Sequence, residues 1–281
     1  MKIYQTINSL KNTIQQWHED GVKVGFVPTM GHLHAGHIEL VNQAKLLCDK
    51  VVVSVFVNPL QFNEVSDFNS YPKTLHADQE KLITAKADML FLPDSEMMYP
   101  NGQIVTTKVC VPEITSELEG KQRPGHFDGV STVVNKLFNL VQPQMAFFGE
   151  KDYQQLLLIR KMVNDLNIPI EIQSVPTYRE TDGLAMSSRN SRLTEDQRRI
   201  APELYQVLQN LSKQLVKAEQ SRLEIEEQAK NKLMNAGFTV EYISVRDRAS
   251  LKVPKGEGGN RLVLAAARLG DVRLIDNMII D

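Results

Sequence analysis

The feature that most limits the fold of this chain is a regular alternation of short β-branched runs with segments of helical spacing. Strands are predicted at residues 22–27, 51–57, 89–92, 145–148 and 170–175. Helices are predicted between them, at residues 38–47, 75–87, 130–141 and 153–166. Strands that alternate with helices indicate βαβ units joined by right-handed crossovers. The predicted fold class is therefore α/β, a Rossmann-like doubly wound parallel sheet that binds ligands at the carboxyl ends of its strands.

The sequence changes character after Pro176. Thr194 is a suitable N-cap for a polar amphipathic helix at residues 195–218, and a second helix is predicted at residues 222–234. Two strands follow at residues 240–245 and 262–267, with a glycine-rich turn at 256–259 between them. We therefore expect a first domain at residues 1–176 and a second, smaller α+β domain at residues 177–281.

The composition narrows the functional class. A formal net charge of -2 disfavours a dedicated nucleic-acid binder, which normally carries a basic excess. No apolar stretch approaches the roughly 20 residues that span a bilayer, and the first residues lack a signal-peptide pattern. Cys48 and Cys110, the two cysteines, each stand in an apolar run and are predicted to be buried thiols. The expected location is the cytoplasm, without a membrane or nucleic-acid partner.

Three histidines crowd the segment 28–37, between the first predicted strand and the first predicted helix. His34 and His37 lie three residues apart, so they face the same side of a helix entrance. Gly36 between them has no side chain to block a ligand. A helix N-terminus favours phosphate, and two imidazoles can donate hydrogen bonds to phosphate oxygens. Two other interpretations stay open: loop histidines without a chemical role, or a metal site that also uses His32.

Two further polar segments follow predicted strands. Residues 149–152 read Gly-Glu-Lys-Asp, in which Lys151 can place a point charge on phosphates and Asp152 can accept from a ribose hydroxyl. The segment 182–190 carries two serines and Arg189 in a glycine-containing loop, which suits a mobile phosphate clamp. The alternatives are a solvated helix cap for the first segment and an ordinary polar linker for the second.

Together the histidine segment and the Met-Ser-Ser-Arg loop resemble the HxGH and KMSKS pair of the adenylyl-transferring superfamily, which includes class I aminoacyl-tRNA synthetases and small nucleotidyltransferases. Longer strings resemble the pantothenate synthetase (pantoate–β-alanine ligase) family over essentially the whole chain, in the family's order. They begin at Pro28, His34, Asn58, Tyr71, Arg123, Gly149, Met186 and Arg273. The most specific are Gly-Glu-Lys-Asp-Tyr-Gln-Gln and Met-Ser-Ser-Arg-Asn.

The resemblance implies an ATP-dependent ligation in two steps, with ATP and pantoate bound by the first domain and the phosphate clamp carried by the second. The pantoate carboxylate attacks the α-phosphorus of ATP, and the amine of β-alanine then displaces AMP from pantoyl adenylate. Because a carboxylate is already ionised at neutral pH, the first step needs no general base. The histidines are therefore interpreted as stabilisers of phosphate charge. Proton donation from His37 to pyrophosphate stays open.

The resemblance also implies the roles of individual residues. The expected catalytic residues are His34, His37, Lys151 and Arg189. The expected ATP-binding residues are Met30, Gly31, His32, Leu33, His34, Ala35, Gly36, His37, Gly149, Glu150, Lys151, Asp152, Tyr178, Met186, Ser187, Ser188 and Arg189. At His32 the family more often has a small or aromatic residue, and at Tyr178 it usually has an aliphatic one. Both departures can alter nucleotide affinity.

Gln61 and Gln155 match the family's pantoate-binding glutamines, whose amides suit a hydroxylated acid, and Gln61 is also expected at β-alanine. Mg²⁺ is expected with ATP. Asp78 resembles a family position near the metal, with a solvated helix carboxylate as the alternative interpretation. The family further implies a homodimer.

Three other functions fit the sequence less well. A nucleotidyltransferase acting on a phosphorylated precursor would call for more Lys or Arg than the two glutamines provide. An aminoacyl-tRNA synthetase is disfavoured by the chain length and by the lack of a basic RNA-binding module. A nucleotide-binding regulator without catalysis is disfavoured by the complete set of His34, His37, Lys151 and Arg189.

Overall fold

The computed structural model of the protein describes residues 1–63, 65–217, 219–256 and 260–280. Six strands in the described residues form a parallel sheet with the order β1-β4-β3-β2-β5-β6. They are β1 (Lys2–Tyr4), β2 (Val24–Thr29), β3 (Lys50–Val55), β4 (Met89–Phe91), β5 (Met145–Gly149) and β6 (Glu171–Val175). The chain moves from β2 to one side through β3 and β4, and returns to the other side through β5 and β6. The carboxyl ends of β2 and β5 therefore flank a topological switch point.

The helices of this part are α1 (Ile7–Glu19), α2 (Ala35–Leu47), α3 (Val65–Asn69), α4 (Leu75–Thr84), α5 (Ser95–Met98), α6 (Glu119–Gln122), α7 (His126–Val141) and α8 (Tyr153–Asp165). Helices α1, α7 and α8 contribute to the core on one face of the sheet, and α2 and α4 to the core on the other. Neighbouring residues of β2 alternate between two cores: Phe26 packs with α1 and α7, whereas Val27 packs with α2 and α4. Burial on both faces is the reason that the inner strands β2 to β5 are mostly apolar, whereas the edge strands β1 and β6 are more polar and more exposed. The predicted doubly wound parallel sheet is confirmed.

The carboxyl-terminal part has its own core and a three-stranded antiparallel sheet with the order β7-β8-β9. Its elements are α9 (Glu195–Ile200), α10 (Glu203–Lys217), α11 (Arg222–Asn235), β7 (Thr239–Asp247), β8 (Arg261–Leu269) and β9 (Val272–Ile280). The chain divides into two compact units. Unit 1 comprises Met1–Glu150 and Gln154–Pro176, and unit 2 comprises Lys151–Tyr153 and Thr177–Asp281.

Three sequence predictions need correction. The helix predicted at 195–218 is two helices, because Pro202 has no N–H to donate and its ring crowds the preceding turn. Helix α2 begins at Ala35 and not at residue 38, which makes His34 its N-cap and places His37 in its first turn. Cys48 is buried as predicted, but Cys110 is exposed.

Other parts of the fold were not predicted or lie outside the described residues. Strands β1 and β9 and helix α1 have no counterpart in the sequence prediction. Ala218, the predicted last residue of a helix, and residues 257–259 of the predicted glycine-rich turn are not among the described residues. In the part of the chain that the structure describes, no helix combines the length and apolarity needed to cross a bilayer.

Candidate active site

The histidine segment follows β2 through a tight turn at Gly31. The Thr29 hydroxyl donates to the carbonyl of Ser54 on β3 (2.8 Å) and accepts from the Gly31 N–H (3.2 Å). Gly31 has φ +82°, and an added Cβ would lie 2.9 Å from Cγ1 of Val55. A side chain is therefore excluded both by the backbone conformation and by the space.

Asp78 of α4 holds the residues after this turn. Its carboxylate accepts from the backbone N–H groups of His32 and Leu33, each at 2.8 Å, and from the Thr74 hydroxyl at 3.2 Å. These bonds help to keep His32 in the left-handed conformation (φ +50°), which costs a non-glycine residue roughly 1–2 kcal/mol. Asp78 is only 1% exposed, so the interpretation as a solvated carboxylate is wrong.

The same bonding bears on metal binding by Asp78. Three of the roughly four lone-pair sites of this carboxylate already accept protein donors. Mg²⁺ usually keeps several waters and takes one or two carboxylates together with substrate phosphates. Among the described residues, no group of three or more His, Cys, Asp or Glu is placed to hold a metal ion. Asp78 fits an anchor of the turn better than a metal ligand, and the three-histidine metal site is not formed.

His34 and His37 meet at the N-terminus of α2. His34 is the N-cap, and its backbone N–H donates to Nδ1 of His37 at 3.3 Å. The two ring centroids lie 4.0 Å apart. Because Nδ1 of His37 accepts, the neutral ring carries its proton on Nε2, which is then a donor. The histidines thus join the N–H groups of the first helical turn, which have no acceptors further back in the helix.

Two of the ATP-binding residues expected in this segment have contrasting environments. Leu33 is 2% exposed and belongs to the core with α2 and α4, so it stabilises the segment by packing into that core. Ala35, the first residue of α2, is exposed.

Gln61 lies beside this segment in a network of buried amides. Its Nε2 lies 2.9 Å from Sδ of Met30, and its Oε1 accepts from Nδ2 of Asn58 at 3.1 Å. Asn58 also donates to the carbonyl of Gly129 and accepts from the hydroxyl of Tyr99 at 2.6 Å. Burial raises the pKa of Tyr99, which keeps this hydroxyl a donor. The network fixes which way the Gln61 amide points.

The backbone around Gln61 is held by α7. Nδ1 of His126 lies 2.7 Å from the Gln61 carbonyl, and Nε2 lies 3.0 Å from the guanidinium of Arg123. A carbonyl only accepts and a guanidinium only donates, so these contacts require a neutral His126 with its proton on Nδ1. An added Cβ on Gly129 would lie 2.3 Å from the carbonyl oxygen of Leu60. Glycine is therefore required where α7 packs against this segment.

Sequence reasoning missed Asn58, Tyr99 and His126 as residues of this site. Asn58 marked the end of a predicted strand, and His126 belonged to a family string to which no role was given. Tyr99 carried no signal, because only the fold brings it to Asn58.

Two adjacent glutamines on α8 differ in what they contact. Gln154 is 2% exposed and its amide bonds three backbone groups, the N–H of Glu119 and the carbonyls of Ile114 and Glu117. Gln155, the predicted pantoate residue, is only half-buried. Gln154 is thus committed to the 114–119 segment, and the more accessible position belongs to Gln155.

The remaining predicted residues follow β5 or lie in unit 2. Gly149 ends β5, and an added Cβ there would meet no protein atom within 4 Å, so packing does not explain the glycine. Lys151 is largely buried, with Nζ 3.8 Å from a carboxylate oxygen of Asp152. Glu150 is half-buried, and the side chain of Tyr178 is exposed.

The Met-Ser-Ser-Arg loop leaves a small hairpin in unit 2. Arg179 and Ala185 form a β-bridge, and the Met186 N–H donates to the Tyr178 carbonyl at 3.0 Å. Ser187 caps a 3-10 helix at Ser188–Arg192, and its hydroxyl accepts from the Arg189 N–H. The loop is half-buried and begins from a fixed base.

Arg198 of α9 ties down the tip of this hairpin. It donates to Asp182 at 2.6 Å and to Glu180 at 3.0 Å. The bond from Arg198 is the main reason that the pKa of Asp182 lies below its usual value.

Comparison with known proteins gives one consistent result. Residues 2–279 match the family described as pantoate-beta-alanine ligase. A pantothenate synthetase of Azotobacter vinelandii is 49% identical over 99% of this chain and 98% of its own length. A pantothenate synthetase structure from Thermus thermophilus is 42% identical, with a TM-score of 0.92 over 100% of this chain and 99% of its own. A Francisella tularensis pantoate-beta-alanine ligase, described as complexed with beta-gamma ATP and beta-alanine, is 38% identical, with a TM-score of 0.85 over 99% and 97%.

Proposed function

The chain belongs to the pantoate–β-alanine ligase family, and from that premise we propose how its residues carry out the ATP-dependent ligation of pantoate to β-alanine. One contact supports the arrangement above all. The Gln61 amide, the expected group for pantoate, lies 2.9 Å from the Met30 sulfur in the expected ATP segment. An acid held by Gln61 therefore lies beside a nucleotide held at the N-terminus of α2.

The reaction proceeds in two balanced steps. The carboxylate oxygen of pantoate forms a bond to the α-phosphorus of ATP, and the bond to pyrophosphate breaks. The amine of β-alanine, as its free base, then forms the amide bond at the acyl carbon, and AMP leaves with the bonding electron pair. The pantoate carboxylate is ionised at neutral pH, so the first step depends on stabilising charge and not on removing a proton.

His34 and His37 supply that stabilisation in unit 1. The Nε2–H of a neutral His37 donates to a phosphate oxygen without needing a charge of its own. The first-turn N–H groups of α2 and the positive end of its dipole favour the same oxygens. Donation of a proton to departing pyrophosphate is compatible with this geometry but is not required by it.

Unit 2 carries the cationic and hydroxyl groups among the proposed ATP-binding residues. Lys151 and Arg189 bind phosphate oxygens, and Ser187 and Ser188 add hydroxyl donors. Asp152 accepts from the ribose. In unit 1, Gly149 at the end of β5 allows the ligand to approach the backbone, which agrees with the open space around it. Glu150 flanks this contact, and the exposed Tyr178 offers a ring for adenine.

Gln61 and Gln155 are proposed to bind the hydroxyls of pantoate, and Gln61 also contacts β-alanine. The fixed amide of Gln61 presents a defined donor and acceptor, which favours an acid bearing hydroxyls over one bearing a phosphate. Mg²⁺ is proposed to bind together with ATP, through the phosphates of the nucleotide. We further propose a homodimer, which the family resemblance supports. The proposed location is the cytoplasm, which agrees with two cysteines that form no disulfide.

The direct test is AMP formation from ATP, pantoate and β-alanine. AMP is expected only when all three are present, whereas pyrophosphate exchange into ATP should need pantoate alone. AMP formation that ignores pantoate would contradict the ligase and favour another nucleotidyltransferase. The His37→Ala variant should lose about 10²-fold in kcat, the usual cost of removing one preorganised donor, while its circular dichroism stays unchanged. Near-normal turnover would contradict the role of His37.

A further inference from the structure

Two buried polar residues in the middle of β9 have no role in the reaction as proposed. Asp276 is 3% exposed and Asn277 is 6% exposed. Burying a carboxylate and an amide in a strand is costly unless each group finds partners. Their partners therefore show what these residues do.

Asp276 forms a forked ion pair with Arg179. The two guanidinium nitrogens donate to the two carboxylate oxygens at 2.7 and 2.9 Å. The same guanidinium donates to the Gly183 carbonyl at 3.1 Å and lies 3.7 Å from the ring centroid of Tyr205 on α10. Gly183 has φ +94°, and an added Cβ would lie 2.6 Å from the same Tyr205 ring. The guanidinium of Arg179 is thus fixed by hydrogen bonds along its edge and by its position over an aromatic ring.

This ion pair fixes the base of the Met-Ser-Ser-Arg loop. Arg179 and Ala185 are bridged across the hairpin, directly before Met186. At the other side of the loop, Nδ2 of Asn190 donates to the Ala185 carbonyl at 3.1 Å. Both ends of the loop therefore connect to β9 through Arg179.

Asn277 extends the same connection to Lys151. Its Nδ2 donates to the Lys151 carbonyl at 2.9 Å, and its own carbonyl accepts from Arg179 at 3.3 Å. Its backbone N–H donates to Asp276 at 2.8 Å. One strand thus bonds both the residue that carries the proposed phosphate-binding ammonium and the hairpin that carries the proposed clamp.

Stability alone does not account for this arrangement. A buried ion pair costs desolvation, and an apolar pair of similar volume is often as stable or more so. An apolar pair would not reproduce the directional bonds to Gly183, Asn277 and, through Asn277, Lys151. The group supplies geometry that packing cannot supply.

We propose that Asn277, supported by the Asp276–Arg179 pair, is a positioning residue for ATP that sets the backbone of Lys151 relative to the Met186–Arg189 loop. This inference rests on the proposed function of Lys151 and Arg189 at the phosphates. The Arg-Leu-Ile-Asp-Asn segment, residues 273–277, would then contribute to the first step of the reaction without contacting a substrate.

The test is a double-mutant cycle on ATP affinity. Asn277→Leu keeps the side-chain volume and the strand but removes the amide donor, and Lys151→Met removes the ammonium. By titration calorimetry, Asn277→Leu should weaken ATP binding about tenfold, as expected for a misplaced binding group, and leave pantoate affinity within about twofold. In the Lys151→Met background, the same change should weaken ATP binding by less than about twofold.

Two further variants make the experiment decisive. Asn231→Leu, on the exposed face of α11, is the matched control and should bind ATP like the wild type. Asn277→Ser, whose hydroxyl is too short to reach Lys151, replaces Asn277→Leu if the latter does not fold. Thermal melting of each variant separates a loss of fold from a loss of position.

The outcomes separate the inference from the function. Wild-type ATP affinity in the Asn277 variants, an equal loss for ATP and pantoate, or full additivity with Lys151→Met would each overturn the positioning role while AMP formation upholds the ligase. If Lys151→Met itself leaves ATP affinity unchanged, both the proposed role of Lys151 and the positioning role of Asn277 are contradicted. If no AMP forms from the three substrates, the proposed function fails by a separate assay.

Discussion

Asp78 in unit 1 and Asp276 in unit 2 are both almost fully buried, yet different donors stabilise their carboxylates. Asp78 accepts from two backbone N–H groups and a hydroxyl, with no cation in these bonds. Asp276 accepts two bonds from the Arg179 guanidinium. Burial raises the pKa of Asp276, and the bonds and charge of Arg179 limit that rise. Each aspartate anchors one proposed ATP segment.

The difference shows what each segment requires. Backbone N–H groups have fixed directions, so Asp78 can impose an unfavourable left-handed conformation on His32 and thereby aim the turn before α2. A guanidinium on a long side chain connects segments that are far apart in sequence, and this is what the hairpin and β9 need. The anchors should therefore respond differently when the carboxylate is removed.

The largest effect is expected from Asp276→Ala. It leaves the largely buried Arg179 guanidinium without its counter-ion, and removing one partner of a buried ion pair typically costs about 3–5 kcal/mol. The double variant Arg179→Met/Asp276→Leu should recover most of that loss, because it removes both charges. Urea unfolding followed by far-UV circular dichroism measures both. Asp271→Ala, in the exposed turn before β9, is the control and should stay within about 0.5 kcal/mol of wild type.

A single variant as stable as the wild type, or a double variant as unstable as the single, would show that Arg179 does not depend on Asp276. The contrast with Asp78, which depends on a cation left without its counter-ion, would then be contradicted.

A smaller effect, about 2–3 kcal/mol, is expected from Asp78→Ala. Two backbone donors lose a charged acceptor, but no side-chain charge is left buried without a counter-ion. Trp17 of α1 is the only tryptophan of the chain, so its fluorescence reports the unfolding of unit 1. The exposed Asp165→Ala is the matched control, because its pair with Lys161 lies on the surface, where solvent screens it, and its loss should leave stability close to that of the wild type.

Asp78→Ala should also raise the KM for ATP, because His32 and Leu33 lose the acceptor that sets their conformation. An unchanged KM together with lowered stability would mean that the turn keeps its shape without Asp78, and the comparison with Asp276 would then concern stability alone.

The parallel sheet could be predicted from sequence because both of its faces are buried. Runs such as that of β3 are apolar throughout most of their length, and the helices between them have the matching spacing. Strand β9 could not be predicted in this way, since Asp276 and Asn277 interrupt its apolar pattern. Their cost is offset by Arg179 and Lys151, which lie 97 and 126 positions away in sequence.

The site was predictable to the extent that its residues stand next to each other in the chain. His34 and His37 are three apart, and the structure brings them together as the spacing indicated. Asn58, Tyr99 and His126 act on Gln61 from separate elements, and no spacing connects them. The anchoring role of Asp78 could not be predicted either, because its hydrogen bonds go mainly to backbone groups, which a pattern of side chains does not show.

The smallest effect, about 1 kcal/mol at pH 7, is expected from a third aspartate, Asp88, whose carboxylate is partly exposed. It accepts from Lys45 at 2.8 Å, from Lys50 at 3.3 Å and from the Val51 N–H at 2.8 Å. Burial raises the pKa of Asp88, but the bonds from Lys45 and Val51 outweigh it and lower the pKa overall. Surface screening keeps the energy of such a pair small.

The sign of its pH dependence follows from the lowered pKa. The ionised form is favoured in the folded state, so its contribution is complete above the unfolded-state pKa of about 3.9 and is lost as the pH falls through the folded-state pKa. Asp88→Asn resembles the protonated side chain. The stability difference between wild type and Asp88→Asn, from urea unfolding, should be constant above about pH 5 and shrink below about pH 4. A difference that persists unchanged at acid pH would place the effect in packing and would separate Asp88 from anchors that act through charge.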